Sequence, residues 1–409
     1  MKMRDILLTA LIAVRRGYYN RARRLREYGI FSYMWNSSGY VLVIVLLVTS
    51  LLVSVSAEFL ITAQTNVNYI RKFSEKMRAH YIAKTGINLG TFILEADRRG
   101  ASVGILTGSS GDSNVDSYRD IWALDFPEMP FEDGTLKISI TDENAKINLS
   151  VLANEVVDRS PYYSIAQRFF LNMGLPMDIA DALIDWVDID DSRFPYGAES
   201  SDYYQTLPHP YKAKNAEMDS IQEMLLVKYI TPELYYGLGG GNFGLETNCV
   251  DDNRGTTHFD MSQLMKTASG KNAPAPPANS FKTLENPIGR EKSRRLSDYF
   301  RVTGERSDYL SERNKININT ASFRVLSALT DTMTDDIVAE IIRRRQEKPF
   351  SSVDDVKDLI PDDTVRRNIL SVRSYIFQIT AAGKVNSTRV KIVAIYGRDN
   401  KKFYYAGEE

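Results

Sequence analysis

Between Ala180 and Asp202 the chain concentrates seven carboxylates, Asp181, Asp185, Asp188, Asp190, Asp191, Glu199 and Asp202, around a single base, Arg193. Asp181, Asp185 and Asp188 recur at helical spacing and share one face, and the others fall in or near a loop that contains Gly197 and Ala198. Carboxylates this dense repel one another unless something neutralises them. A hard cation with six to eight oxygen ligands does so, and calcium accepts carboxylates mixed with backbone carbonyls in an irregular loop. The spacing is not that of a twelve-residue EF-hand loop. A solvated acidic face held by structural hydrogen bonds is the plain alternative. A carboxylate pair for glycoside hydrolysis is the enzymatic one. It is disfavoured because no histidine, nucleophile or glycine-rich phosphate loop supplies the rest of an active site, so the expectation is a protein that is not an enzyme. Three histidines and one cysteine, Cys249, argue against zinc, and a single cysteine excludes an intrachain disulfide.

A second constellation runs from Lys315 to Arg373 (KININTASFRVLSAL, TDTMTDDIVAEIIRRR, KPFSSVDDVKDLI). Thr320, Thr334 and Ser351 or Ser352 stand where N-cap oxygens precede helices. Asp335, Asp336, Asp354 and Asp355 place negative charge at helix N-termini, and Arg343 to Arg345 lie at an opposite end. The pattern resembles a helix-hairpin-helix module. Gripping nucleic-acid phosphate in that way depends on hairpin glycines, which let the backbone approach closely. Here the hairpin reads Asp331-Thr332-Met333-Thr334. The segment also carries ten basic and ten acidic residues, so a phosphate binder's positive footprint is missing. Packing and partner contact are the favoured roles, and no nucleic acid is expected. A membrane-anchored DNA receptor is the alternative.

The elements that must position these residues begin with a membrane helix. Tyr40 to Ala57 is a run of eighteen uncharged residues, about long enough to span the hydrocarbon layer. Upstream, Lys2, Arg4, Arg15, Arg16, Arg21, Arg23, Arg24 and Arg26 outweigh Asp5 and Glu27. That bias keeps the N-terminus cytoplasmic and sends the remainder across the membrane. Apolar residues then continue at Ala63, Val67, Ile70, Phe73, Met77 and Tyr81, the spacing of a helix with one greasy face. One long helix from Tyr40 to about Asp97 is expected, lipid-embedded in its first half and covering a sheet with this face in its second. Gly86 and Gly90 are the positions where it could break.

Leu136 to Thr141 alternates apolar and polar residues, as a half-buried strand does. Ile147-Asn148-Leu149 follows a DENAK turn as its candidate partner strand. Thr388 to Tyr396 alternates again, and an RDNKK turn with Phe403 to Tyr405 would close a last hairpin. The long middle is mostly helical. An overall charge of −1 shows no bias toward nucleic acid. The expected layout is a basic leader (1–39), a transmembrane stretch (40–61), an amphipathic helix with first strands (62–150), an inserted helical domain (151–314), the hairpin module (315–373) and closing strands (374–409). A Pro/Ala linker, NAPAPPANS, marks 250–292 as mobile.

The order of basic leader, Gly39, apolar helix, DENAKINLSVL, LIDWVDIDD with PYGAES, KININTA, RRRQEKPFSSVDD and a closing strand pair resembles the protein K family of type II secretion minor pseudopilins. The resemblance implies an α+β, pilin-like fold: a long N-terminal helix on a small antiparallel sheet, interrupted by a large helical insert with a helix-hairpin-helix or SAM-like module. It implies prepilin peptidase cleavage after Gly39, leaving Tyr40 as a methylated terminus. Most subunits of such filaments carry Glu at the fifth mature residue, where it neutralises a neighbour's amine. Here that residue is Ile44, the signature of a filament tip, where an unpaired buried carboxylate would only cost energy. It also implies an inner-membrane protein with a periplasmic head, partnered by I and J subunits and the major pseudopilin and starting pseudopilus assembly. Calcium in the insert maps onto Asp188, Asp190, Asp191 and Glu199. A tip subunit of a type IV pilus is a further alternative.

Overall fold

The computed structural model describes residues 37–99, 114–152, 160–237, 295–302 and 310–408. Residues 1–36 of the leader and the expected mobile segment 250–292 lie outside them. Helix α1 runs from Ser37 to Arg98. Among the described residues it is the one helix long and apolar enough to cross a membrane. The chain divides into two compact units, residues 1–74 and 75–409. In the first, the large apolar side chains from Tyr40 to Phe73 are exposed.

In the second unit a five-stranded antiparallel sheet has the order β1-β2-β7-β8-β9. The strands are β1 (Met129–Phe131), β2 (Gly134–Asp142), β7 (Ile376–Val385), β8 (Thr388–Gly397) and β9 (Lys402–Glu408). Leu136, Ile138 and Ile140 of β2 are buried, as their alternation predicts. The last hairpin forms as expected, with Ile395 opposite Tyr405.

Two strand and helix expectations are corrected. Ile147–Asn148 (β3) does not pair with β2. It pairs in parallel with Phe300–Arg301 (β4), while β2 pairs along its length with β7. A short run after a turn looks like a hairpin arm, but here a 3-10 turn at Glu143–Ala145, capped by Asp142, carries the chain away from the sheet. The face of α1 that covers the sheet is also not the one expected. Val67, Ile70, Phe73, Met77 and Tyr81 are exposed, and the sheet is met by Ala79, Ile82, Ala83, Gly86, Ile87 and Gly90. Small residues win that face because they let helix and sheet backbones approach. A Cβ on Gly90 would lie 2.5 Å from Ile379 Cγ2, and one on Gly86 2.7 Å from Ala381 Cβ. The glycines that threatened the helix are thus its packing surface.

Between β2 and β7, among the described residues, a strand, two helices, a 3-10 turn, a helix and a parallel strand follow one another twice, the first time with further 3-10 turns at Leu149–Val151, Tyr204–Thr206 and Leu296–Asp298. The first module has β3, helices α2 (Pro161–Asn172) and α3 (Asp178–Val187), a 3-10 turn at Ile221–Leu226, α4 (Pro232–Tyr236) and β4 parallel to β3. The second has β5 (Ile316–Asn317), α5 (Phe323–Ser327), α6 (Asp335–Glu347), a 3-10 turn at Val353–Val356, α7 (Asp363–Asn368) and β6 (Leu370–Ser371) parallel to β5. Each opens on Lys-Ile-Asn, at 146–148 and 315–317. Buried apolar residues of both modules form one core, separate from the helix–sheet core. Thr334 and Ser352 cap their helices as expected. Ser322 rather than Thr320 caps α5, because the Thr320 hydroxyl donates to Asp142 at 2.5 Å.

Asn317 of the second motif and Asn144, just before the first, splice the modules to the sheet. Asn317 Nδ2 donates to Ser374 Oγ at 2.7 Å, and Ser374 Oγ donates to Asp142 at 2.5 Å. Asn144 Nδ2 donates to the Lys315 carbonyl, while its Oδ1 accepts from the Tyr375 and Ile376 amides. Asparagine suits this work because one planar group both donates and accepts where buried backbone must be satisfied.

Candidate metal centre

The two modules differ between their third element and the following 3-10 turn. The second module crosses from α6 directly through residues 348–352, whereas the first inserts residues 188–220, which hold the acidic loop. Helix α3 presents Asp181 and Asp185 inward, and Asp188 is its C-cap. The loop is stitched back onto the helix by its own amides. Phe194 N–H donates to the Asp185 carboxylate at 3.1 and 3.3 Å, and Tyr196 N–H donates to Asp181 at 3.2 Å. Gly197 packs so closely that a Cβ there would overlap Asp185 Oδ2.

That folding brings Asp185, Asp188 and Glu199 together, with one carboxylate oxygen from each lying within 4.8 Å of the others. Asp185 is fully buried and Glu199 is 1 % exposed. Of the four ligands expected from sequence, Asp188 and Glu199 are in this triad. Asp190 and Asp191 are exposed beside it: Asp190 accepts from the Ser192 amide, and Asn215 Nδ2 donates to the Asp190 carbonyl and to Asp191 Oδ1 at 2.8 and 2.9 Å. Asp185 completes the triad. Its helical spacing was visible, but only the loop's return over α3 puts it opposite Glu199.

Burial, then the charges of Asp185 and Asp188, push the Glu199 carboxyl up to about 8, and burial pushes Asp185 up to about 6. The nearby bases are engaged elsewhere: Arg193 bonds Asp202 at 2.7 Å and Lys228 Nζ donates to the Gly197 carbonyl at 3.1 Å. Glu199 Oε1 is buried with no hydrogen-bond partner among the described residues.

A second acidic triad, Asp97, Asp116 and Asp120, makes the contrast. There Arg398 reaches in, 3.1 Å from Asp97 and 2.7 Å from Asp116. The sheet domain thus supplies its own cation to this cluster. The donor set of the insert, oxygen only and with one orphaned buried carboxylate oxygen, fits a hard cation such as calcium.

In the second module the N-terminus of α6 carries Asp335 and Asp336, and Thr334 Oγ1 accepts from the Ile337 amide. Two N-terminal carboxylates oppose an incoming phosphate.

A long N-terminal helix laid on an antiparallel sheet, with helical modules inserted between two of its strands, defines an α+β protein of the pilin-like class. Two family models, both described as type II secretion system protein K, match residues 145–239 and 316–373, which fall on the two modules. A type II secretion system protein K of Aeromonas hydrophila is 26% identical over 211 residues, 48% of this chain and 60% of that protein. A putative type II secretion system protein K of Escherichia coli (strain K12) is 24% identical over 209 residues, 49% of this chain and 60% of that protein. The match thus spans about 60% of the length of these curated relatives. A chain of the crystal structure of the GspK-GspI-GspJ complex from enterotoxigenic Escherichia coli superposes with a TM-score of 0.55 at 16% identity, covering 83% of this chain and 99% of that one, which shows the shared fold. The resemblance to the type II secretion protein K family therefore holds in sequence and in fold.

Proposed function

We propose that this chain is a minor pseudopilin that sits at the tip of a secretion pseudopilus and starts its assembly. The single observation that carries the reading is the helix Ser37–Arg98, apolar and exposed over its first half, in a chain whose two inserted modules both match protein K. The role is structural rather than catalytic. The helix anchors the chain in the inner membrane and bundles with the helices of I-type, J-type and major pseudopilins, while the head lies in the periplasm. The exposed stripe of Val67, Ile70, Phe73, Met77 and Tyr81 supports this, since apolar side chains at helical spacing are what a neighbouring helix packs against. Co-purification of the full-length chain with candidate I and J subunits tests the assembly, and failure to recover either sinks it.

Processing follows from the same reading. Gly39 and Tyr40 lie in the first turn of α1. Replacing Gly39 by a bulky residue is expected to leave the leader attached in cells that contain the prepilin peptidase, while Ile44→Glu is expected to bring no gain in assembly. Mass spectrometry of the N-terminus reads the first and pull-down of partners the second.

Calcium belongs to Asp185, Asp188 and Glu199. When bound it supplies the positive charge that lets three buried carboxylates stay ionised together, and it ties α3 to the loop. Calcium at about a hundred times its dissociation constant is expected to add about 2.7 kcal/mol of stability, and EDTA to remove it. In Asp185→Asn the calcium-dependent rise in melting temperature should vanish. An EDTA-insensitive melt of the wild-type chain would return these residues to a protonated, hydrogen-bonded cluster.

A further inference from the structure

The loop over the cation site is held from outside by a device that uses none of the acidic residues. Lys228 Nζ donates to the Gly197 carbonyl at 3.1 Å and lies 4.9 Å from the Tyr203 ring centroid and 4.7 Å from that of Tyr229. Its backbone amide donates to the Tyr204 hydroxyl at 3.2 Å, which fixes the root of the side chain. The next residue, Tyr229, takes φ 71°, a left-handed backbone that bulky residues rarely adopt. That turn lays its ring along the lysine and carries its hydroxyl to the Tyr196 carbonyl at 3.4 Å. Lys228 and Tyr229 therefore grip two consecutive carbonyls of the loop.

Gly197 is the residue whose missing side chain lets the loop rest on Asp185. A clamp on its carbonyl sets how closely the Glu199 side of the loop approaches the Asp185 and Asp188 side. From this geometry we propose that Lys228 is a positioning residue of the cation site, holding the loop closed at the spacing the cation needs. The inference rests on the calcium reading above. It makes a prediction whose sign opposes simple electrostatics. Removing a positive charge beside an acidic cluster would by itself tighten cation binding. Loss of a positioning contact weakens it, by roughly tenfold or more for groups that orient ligands.

Calorimetric titration of calcium into the full-length chain in detergent tests this with Lys228→Met, which keeps the aliphatic stem, and Lys228→Arg, which restores a donor and a cation between the two rings. Affinity falling roughly tenfold in Lys228→Met and largely recovered in Lys228→Arg is the expected result. Equal or tighter binding by Lys228→Met overturns the proposal while leaving the cation site standing. No calcium uptake by the wild-type chain overturns both. Should Lys228→Met fail to fold, Tyr229→Phe, which loses only the hydroxyl on the Tyr196 carbonyl, is expected to weaken binding in the same direction, and unchanged affinity there counts against the clamp.

Discussion

An Arg398→Met variant is expected to melt well below the wild-type chain at pH 8 and to recover part of that loss at pH 5. The Arg398 guanidinium bonds Asp97 at the end of α1, Asp116, and the Ser374 carbonyl at 2.8 Å, and it packs 4.9 Å from the Phe377 ring centroid. The arginine is 7 % exposed and Asp116 3 %. Taking one partner from a buried ion pair leaves charge uncompensated, which costs about 3–5 kcal/mol.

The pH dependence has a definite sign. Burial, then the charge of Asp116, raises the Asp97 carboxyl to about 7, and burial, then the charge of Asp97, raises Asp120 to about 8. Both folded values stand above the ordinary aspartate value. The folded state therefore holds more protons than the unfolded one between about pH 4 and pH 8. Stability contributed by these groups is greatest at the acid end of that window and declines as pH rises through it. The wild-type melting temperature is accordingly expected to fall from pH 5 to pH 8. In Arg398→Met the fall should be steeper, because nothing then offsets the carboxylates at high pH. A variant that melts with the wild type at both pH values would show that the arginine bears no part of the load.

Gly383→Ala is expected to destabilise the helix–sheet domain by about 1–3 kcal/mol, the cost of forcing atoms into a filled core. Gly383 lies on β7 where α1 crosses it. A Cβ there would overlap the Ala79 carbonyl oxygen, fall 2.8 Å from the Ala83 amide nitrogen and 2.9 Å from Ile82 Cβ. Two of these three atoms are helix backbone, so no rotamer change relieves the clash and the helix itself must lift off the sheet. Denaturant unfolding of the full-length chain measures it. A change within about 0.5 kcal/mol, the size of an ordinary surface substitution, would mean that helix and sheet are not this close.

Much of the architecture is legible in the sequence. An eighteen-residue uncharged run, the spacing beyond it and the alternation at Leu136 to Thr141 and Thr388 to Tyr396 declare a long helix and its strands, because period and length are local properties of a chain. Thr334 and Ser352 announced helix starts for the same reason. Three things were hidden. The face of α1 that meets the sheet mixes alanine and glycine with Ile82 and Ile87, so a search for a stripe of large apolar residues selects the opposite face. Strand β7 lies in the middle of the sheet, with Phe377, Ile379, Ala381 and Val385 buried. It shows no clean alternation, because Ala382 and Gly383 are covered as well. The repetition of the module survives in Lys-Ile-Asn and little else, since its helices keep their order but not their residues.

The candidate site divides in the same way. Sequence alone determined that residues 181–202 gather seven carboxylates around one arginine and that Asp188 and Glu199 are among them. Tertiary structure alone decided that Asp185 joins them while Asp190 and Asp191 turn outward to Asn215 and Ser192, and that the matching acidic cluster in the sheet domain holds Arg398. The physical reason is reach. Charge density is written along the chain, whereas the few ångströms that separate a cation site from a salt bridge depend on where a loop returns and which distant side chain meets it there.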